Sequence, residues 1–356
     1  MKILIVRGAF GDMYEPAWFR ALTELGHEVC LFDCHAKTGS GLLGRIERRI
    51  LAGPSINKLR LELISVINNF RPEVTLLYQG HYIDLDTVNK ISNQTLVVGY
   101  HNDNPFGVTK NMLRYRHLKK ALSGYHGFHV YRPSNLSDLM NAGISNAAVL
   151  MPAFMPWMDY PRTLNDKEYS LFACDVLFAG HCEADFRVDC FYELIKSSIH
   201  LKVYGDPISW KKNVPSKLLF KLGKIGHILG DDYRNAIAGA KITLCFFSKK
   251  NNDVYTRRVF EITACGGFLL CERTKEMNEI FPEGIAADYF SSAEELLRKV
   301  NFYLKNPEIR EQIARRGYEI AIQNGHDLHT RLKGWLCDVS EWREKANLAI
   351  SVKESS

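Results

Sequence analysis

"MKILIVRGAFGDMYEPAWFRALTELGHEVCLFD", residues 1–33, sets the reading of the whole chain. Lys2 to Val6 is a short unbroken apolar run, the form of a parallel strand covered on both faces. Gly8 to Glu15 makes a loop, Pro16 suits a helix's first turn, and Trp18, Phe19, Leu22 and Leu25 recur at helical spacing. Gly26 ends that helix and Glu28 to Phe32 is a second strand. Strand, helix and strand in this order open a doubly wound parallel sheet.

The alternation continues. A helix around Asn57 to Phe70 stops at Pro72, and strands are expected at Val74–Tyr78, Leu96–Tyr100, Gly127–Tyr131 and Ala148–Met151. Helices fall between them at Leu85–Ile91, Thr109–Ser123 and Ser134–Asn141. "MPAFMPWMDYPRTLNDKEYSL", residues 151–171, has three prolines and no period, and reads as a linker. The pattern then restarts, with strands Cys174–Phe178, Leu201–Tyr204, Ile242–Phe247 and Gly267–Cys271 and helices Val188–Ser197, Asp231–Ala240, Tyr255–Ala264, Ala293–Leu304 and Pro307–Gln323. The expected fold is α/β with two Rossmann-like domains, residues 1–155 and 171–335, joined by linker 156–170. Residues 336–356 are read as a C-terminal helix or tail, frayed after Trp342.

Composition agrees. With 356 residues, 46% hydrophobic and 24% charged, the chain exceeds the roughly 250–300 residues at which single cores stop growing. A net charge of +6 is too small for a dedicated nucleic-acid binder and suits anionic small ligands or an anionic membrane surface. Nine cysteines without a CxxC pair support neither a disulfide framework nor a zinc site, and point to a reducing cytosol. The evenly spaced Cys174, Cys182 and Cys190 are read as buried thiols. No signal peptide or membrane-spanning run is expected, so the reading is cytoplasmic, with attachment at the inner face of a membrane compatible.

The chemistry concentrates in "NDVYTRRVFEITACGGFLLCE", residues 252–272. Between a strand and a helix, Asp253 to Arg258 sit at the carboxyl edge of a parallel sheet, where a helix N-terminus offers free N–H groups to phosphate. Arg257 and Arg258 add charge-assisted donors, and Glu261, one turn on, suits the vicinal hydroxyls of a ribose. The small run Ala264, Cys265, Gly266 and Gly267 admits close backbone approach. The competing reading is a surface Arg258–Glu261 pair with glycines that merely cap a helix.

"TRRVFEITACGGFLLCE" (256–272), "IFPEG" (280–284) and "SSAEELLRKVNFYLKNPEIREQIARRGYEIAIQNGHDLHTRL" (291–332) resemble the C-terminal half of CgeB-like glycosyltransferases of the spore maturation protein type. "VVGYHNDNPF" (97–106) and "VYRPSNLSDLMNAGISNAAVLMPA" (130–153) resemble that family's N-terminal half more loosely. The resemblance implies a GT-B fold, two Rossmann-like domains facing across a cleft, and transfer of a sugar from a nucleotide donor held mainly by the C-terminal domain. Glu261 then matches the ribose-binding acid of a Glu-x7-Glu element, Asp253 stands where the first acid would be, and Arg258 matches the family arginine, with Arg257 carried by proximity. The terminal "HDLHTRL" departs from the family pattern at His326 and His329.

Such transfer needs stabilisation of the departing nucleoside diphosphate, supplied here by Thr256, Arg257, Arg258 and the loop Gly180 to Arg187, beside Tyr204 and Gly205. No metal or cofactor is implied; the nucleotide-diphosphate sugar is a co-substrate, and Asp231-Asp232 are read as helix N-cap acids. On the acceptor side, His101 and Asp103 are the foremost catalytic candidates, then Asp12 and Glu15. The alternative for residues 101–105 is an Asx-type turn capping its own backbone, while His81, His126 and His129 are read as packed or exposed without a role.

"GLLGRIERRILAG" (41–53) and "KKNVPSKLLFKLGKIGHILG" (211–230) are basic and amphipathic. They are read as core-facing helices with solvated basic faces, ahead of helices lying on an anionic membrane near a lipid-linked acceptor. The expected partners are a nucleotide-sugar donor and a glycan or lipid-linked acceptor in surface polysaccharide synthesis, with no nucleic acid. Alternatives are a sugar-nucleotide epimerase or hydrolase on the same fold, or a non-enzymatic two-domain binding protein. "GAFGDM" (8–13) lacks the third glycine of a dinucleotide fingerprint.

Overall fold

Apolar runs that start and stop within a few residues build two parallel sheets in this protein. The structure, a computed structural model, describes residues 1–8, 13–39, 41–107 and 112–354. The chain divides into two compact units, Met1–Met151 with Leu328–Ser356, and Pro152–Asp327.

The first unit holds β1 (Lys2–Arg7), β2 (Glu28–Asp33), β3 (Val74–Tyr78), β4 (Leu96–His101), β5 (Gly127–Val130) and β6 (Ala147–Val149), all parallel in the order β2-β1-β3-β4-β5-β6. Ile3–Val6, β3 and β4 are buried along their length because helices cover both faces, whereas edge strand β2 is mostly half-buried. Gly99 on β4 leaves the space that the Phe128 ring fills; a Cβ there would collide with it.

The C-terminal segment, expected as a helix or a tail frayed after Trp342, is helical past that residue and belongs to the first unit. One helix runs Leu328–Glu354, and Trp335, Val339 and Trp342 are buried in the first unit. Trp335 meets Trp18 edge-on at 5.7 Å, Trp342 packs on His129 at 4.6 Å, and Asp338 bonds His129 at 2.9 Å. Gly127 has no room for a Cβ because the Trp342 ring lies against it. Burial of two indoles, not helix propensity, orders this segment.

The second unit holds β7 (Cys174–Ala179), β8 (Leu201–Tyr204), β9 (Ala240–Cys245), β10 (Leu269–Glu272) and β11 (Asp288–Phe290), parallel in the order β11-β10-β9-β7-β8. Counted from their own first strands, both sheets share the order 2-1-3-4-5, and the first adds a sixth. β11 was not legible in the sequence: it is three residues long, and its Asp288 binds Lys299 at 2.7 Å and the Tyr303 hydroxyl at 2.5 Å.

The proline-rich linker reading also needs correction. Asn165 and Glu168 form a capping box that starts a helix at Asp166–Phe172. Met155 to Tyr160 is docked by Arg234, which donates to the Met158 carbonyl at 3.0 Å and lies 4.1 Å from the Tyr160 ring. Residues 156–170 are thus part of the second unit. The expected helix Thr109–Ser123 is broken into a 3-10 turn Met112–Tyr115, a helix Arg116–Ala121 and a 3-10 turn Leu122–Gly124; Thr109 lies outside the described residues. Among the described residues, no helix is long and apolar enough to cross a membrane.

Trp335→Ala is expected to lower the unfolding free energy of the first unit by about 3–5 kcal/mol, the usual cost of truncating a buried large aromatic, as read by chemical denaturation.

Candidate functional site

In a sheet of order 2-1-3-4-5, neighbouring connections leave toward opposite faces beside the first strand, and a crevice opens at the carboxyl ends there. In the second unit that switch point lies between β7 and β9, and a pocket of about 280 Å³ opens at that edge. Ala179 ends β7 with Gly180 and His181 after it, Tyr204 ends β8 with Gly205 and Asp206 after it, and His227, Ile228, Leu229 and Tyr233 form another wall. Arg257, Arg258 and Glu261 come from the helix Arg257–Ala264 that follows β9.

That helix begins at Thr256, whose extended backbone makes it the N-cap but whose side chain makes no capping bond. Its first-turn N–H groups and positive dipole end therefore accompany two arginines at the pocket. Arg258 is anchored by Nη1 donating to the Ala179 carbonyl at 3.0 Å. Arg257 pairs with Glu261 across one turn, in place of the Arg258–Glu261 pair weighed from the sequence. Glu261 itself is buried, so its charge leans on that guanidinium. Gly180 lies so close to Arg258 that a Cβ would strike the guanidinium, and its carbonyl accepts from Trp210 Nε1 at 2.9 Å.

Tyr233 on the pocket wall and Asp159 near Glu261 gave no sequence signal, while His181 lies in the Gly180–Arg187 loop expected at the diphosphate. The Tyr233 hydroxyl is buried beside Glu261 and Arg258 without a hydrogen-bond partner among the described residues, and burial, then the Glu261 charge, hold its phenol well above its ordinary value. Burial, then the Arg258 charge, lower His181. Asp159, from the segment read as linker, accepts from the Met155 N–H at 2.7 Å, and burial with the Glu261 charge pushes it up to about 7. A hydropathy pattern shows none of this, because these groups meet only through tertiary packing.

Other candidates lie elsewhere. Arg187 is spent on structure: it binds Asp185 at 2.7 and 2.9 Å and donates to the carbonyls of His181 and Phe247 at 2.9 Å each. Asp253, whose N–H donates to the Ser248 carbonyl at 2.9 Å, is not on the pocket wall, nor is Thr256. Gly266 and Gly267 are a correction. They end the helix in a Schellman turn, with N–H bonds to Thr263 at 3.0 Å and Ile262 at 2.9 Å and Gly266 at φ 74°, at the opposite end of the helix from the pocket. Asp231 and Asp232 lie in the first turn of the helix Gly230–Gly239, after the N-cap residue Leu229.

In the first unit, His101 ends β4 and Asp103 follows it. His101 is sealed, however: its Nδ1 accepts the Asp103 N–H at 3.0 Å, its Nε2 faces His81 at 3.4 Å, and burial drives it down to about 4. It braces the loop and has no open face for an acceptor. His81, read as without a role, shares this cluster and accepts from Arg114 Nε at 3.2 Å. Asp103 is half-buried with its carboxylate 3.3 Å from Arg114. Asn104 forms the Asx turn, accepting from Phe106 and Gly107 at 3.0 Å each. Glu15 is fully buried and accepts from the Gly8 N–H at 3.2 Å, and Asp12 lies outside the described residues. The terminal "HDLHTRL" is split between the units: His326 packs on Phe260 and Phe281 in the second, and His329 binds Glu24 at 2.6 Å in the first.

Residues 187–336 match a family model described as glycosyl transferase-like. Solved structures of similar fold include a glycosyltransferase from Rickettsia africae, at 14% identity and TM-score 0.69, with 96% of this chain and 98% of that chain covered. A sucrose-phosphate synthase from Thermosynechococcus elongatus aligns at 11% identity and TM-score 0.66 over the whole of both chains. Anabaena HepE, in complex with UDP and glucose, aligns at 11% identity and TM-score 0.62, covering 99% of this chain and all of that one. The fold is GT-B, two Rossmann-like domains, and the chain carries a glycosyltransferase domain. It is an enzyme of sugar transfer.

The raised Asp159 has a testable sign. Its folded value lies above the ordinary 3.8, so the fold binds a proton that the unfolded chain releases, and stability falls as pH rises from about 4 to about 7. Asp159→Asn is expected to raise the melting temperature above wild type at pH 8 by several degrees, with the gap closing toward pH 4 in thermal scans.

Proposed function

We propose that the pocket of the second unit holds the nucleoside diphosphate of a sugar donor, with Glu261 at the ribose and Arg258 and the helix N-terminus at the diphosphate. The observation that carries this is the convergence of Arg257, Arg258 and buried Glu261 at the carboxyl edge of one parallel sheet. The bond from the sugar's anomeric carbon to the diphosphate breaks, the acceptor hydroxyl passes its proton to the Asp103 carboxylate as its oxygen forms the new bond, and the nucleoside diphosphate leaves with negative charge that these cations stabilise without a metal. Uridine is the first base to test, since HepE of similar fold is in complex with UDP and glucose.

Asp103 is the acceptor-side group of this reading, positioned by Arg114 and by the sealed His101. The acceptor is a glycan, and the enzyme is cytoplasmic and CgeB-like, working in surface polysaccharide synthesis without nucleic acid as a partner. The motif order from residue 256 to 332 supports that subtype.

Calorimetry with UDP, GDP, dTDP and CMP tests the donor site. Micromolar binding of one nucleoside diphosphate is expected, unchanged by EDTA and weakened roughly ten- to a hundred-fold in Arg258→Ala and Glu261→Ala, the loss of a charge-assisted bond worth about 1.5–3 kcal/mol. Binding of none of them would sink the reading. Asp103→Asn should slow donor turnover at least tenfold while leaving nucleotide affinity intact, a split that separates chemistry from binding.

A further inference from the structure

The helix Gly41–Ile50 is built inside out. Gly44 and Glu47 are its buried residues: Gly44 lies against the Gly39 backbone, and the Glu47 carboxylate accepts from Ser55. Arg48 on the same side donates to Gly39 and Thr38. The opposite face shows Leu42 at 72%, Leu43 at 68%, Ile46 at 47% and Ile50 at 43% exposure. The adjoining 3-10 turn Met112–Tyr115 adds exposed Leu113. The expectation of a core-facing helix with a solvated basic face is therefore reversed. The second basic stretch keeps that expectation only in part: Val214 and Leu218 are buried and Lys211, Lys212 and Lys217 exposed, but Phe220 and Leu229 also face water.

We propose that this face docks on an anionic lipid surface, with Leu42, Leu43, Ile46 and Ile50 entering the headgroup boundary and Arg45 and Arg49 reaching the phosphates. Both arginines are exposed and have no acidic partner among the described residues, and the helix's one acid, Glu47, is turned inward. The outward surface is thus apolar and purely cationic, which complements an anionic leaflet. A two-fold contact between copies through this face would set the arginines against their own equivalents. At about 15 Å long, the helix lies in the plane of the interface and cannot cross it.

The test is co-sedimentation of the full chain with mixed phosphatidylglycerol–phosphatidylcholine vesicles and with pure phosphatidylcholine vesicles. Wild type is expected on the mixed vesicles, released by high salt as screening shortens. The triple substitution Leu42→Ser, Leu43→Ser, Ile46→Ser should lower partitioning about tenfold or more with melting temperature and nucleotide affinity unchanged, since these side chains are already in water. Arg45→Gln with Arg49→Gln should reduce capture to the level on neutral vesicles. Absence of wild type from the mixed vesicles, undiminished capture of the triple variant, or a wild-type dimer that the triple variant dissolves would each overturn the assignment. Nucleotide binding does not enter this readout, so its outcome is separate from that of the donor site.

Discussion

A parallel strand buried on both faces carries few polar side chains along its length, so most of each sheet's open chemistry is pushed to the strand ends. That constraint organises both units. The carboxyl ends of β7 and β8 carry the glycines and polar residues of the pocket, and the carboxyl end of β4 carries the His101–Asp103 loop. Shared strand order puts the switch point of each sheet beside its first strand, and in the second unit the pocket opens there.

The charges at that edge are held by one another. Glu261 is buried against Arg257, Arg258 is tied to the β7 carboxyl end, and burial, then the nearby Glu261 charge, keeps the Asp159 proton toward neutral pH. A buried acid with one guanidinium is costly unless further donors complete it. Among the described residues the buried Tyr233 hydroxyl on the same wall has no hydrogen-bond partner, and under the proposed donor site the two hydroxyls of a ribose would supply the missing donors. In the first unit the same economy works differently: His101 spends Nδ1 on the Asp103 backbone and leaves the loop rigid.

Much of the architecture was legible because its signals are local. The run Lys2–Val6, the helical spacing after Pro16 and the repeated strand–helix alternation are properties of short windows, and they locate ten of the strands near their observed places. The pocket helix was legible too, since Arg257, Arg258 and Glu261 share one turn. What failed depended on distant partners. β11 is too short to carry a period, Arg187 looked like a phosphate ligand until its four bonds were seen, and Gly266 and Gly267 fall at the far end of their helix.

The sequence by itself determined that two parallel α/β units form and that a polar strand-to-helix turn lies at residues 253–261, because periodicity and turn chemistry are written in neighbouring residues. Tertiary structure alone decided that residues 328–354 return to the first unit, that the proline-rich segment delivers Asp159 to Glu261, and that the helix at 41–50 shows its apolar face to water. An amphipathic pattern states that a helix has two faces. Which face is buried depends on what packs against it, and here Gly39 and Ser55 receive the polar one.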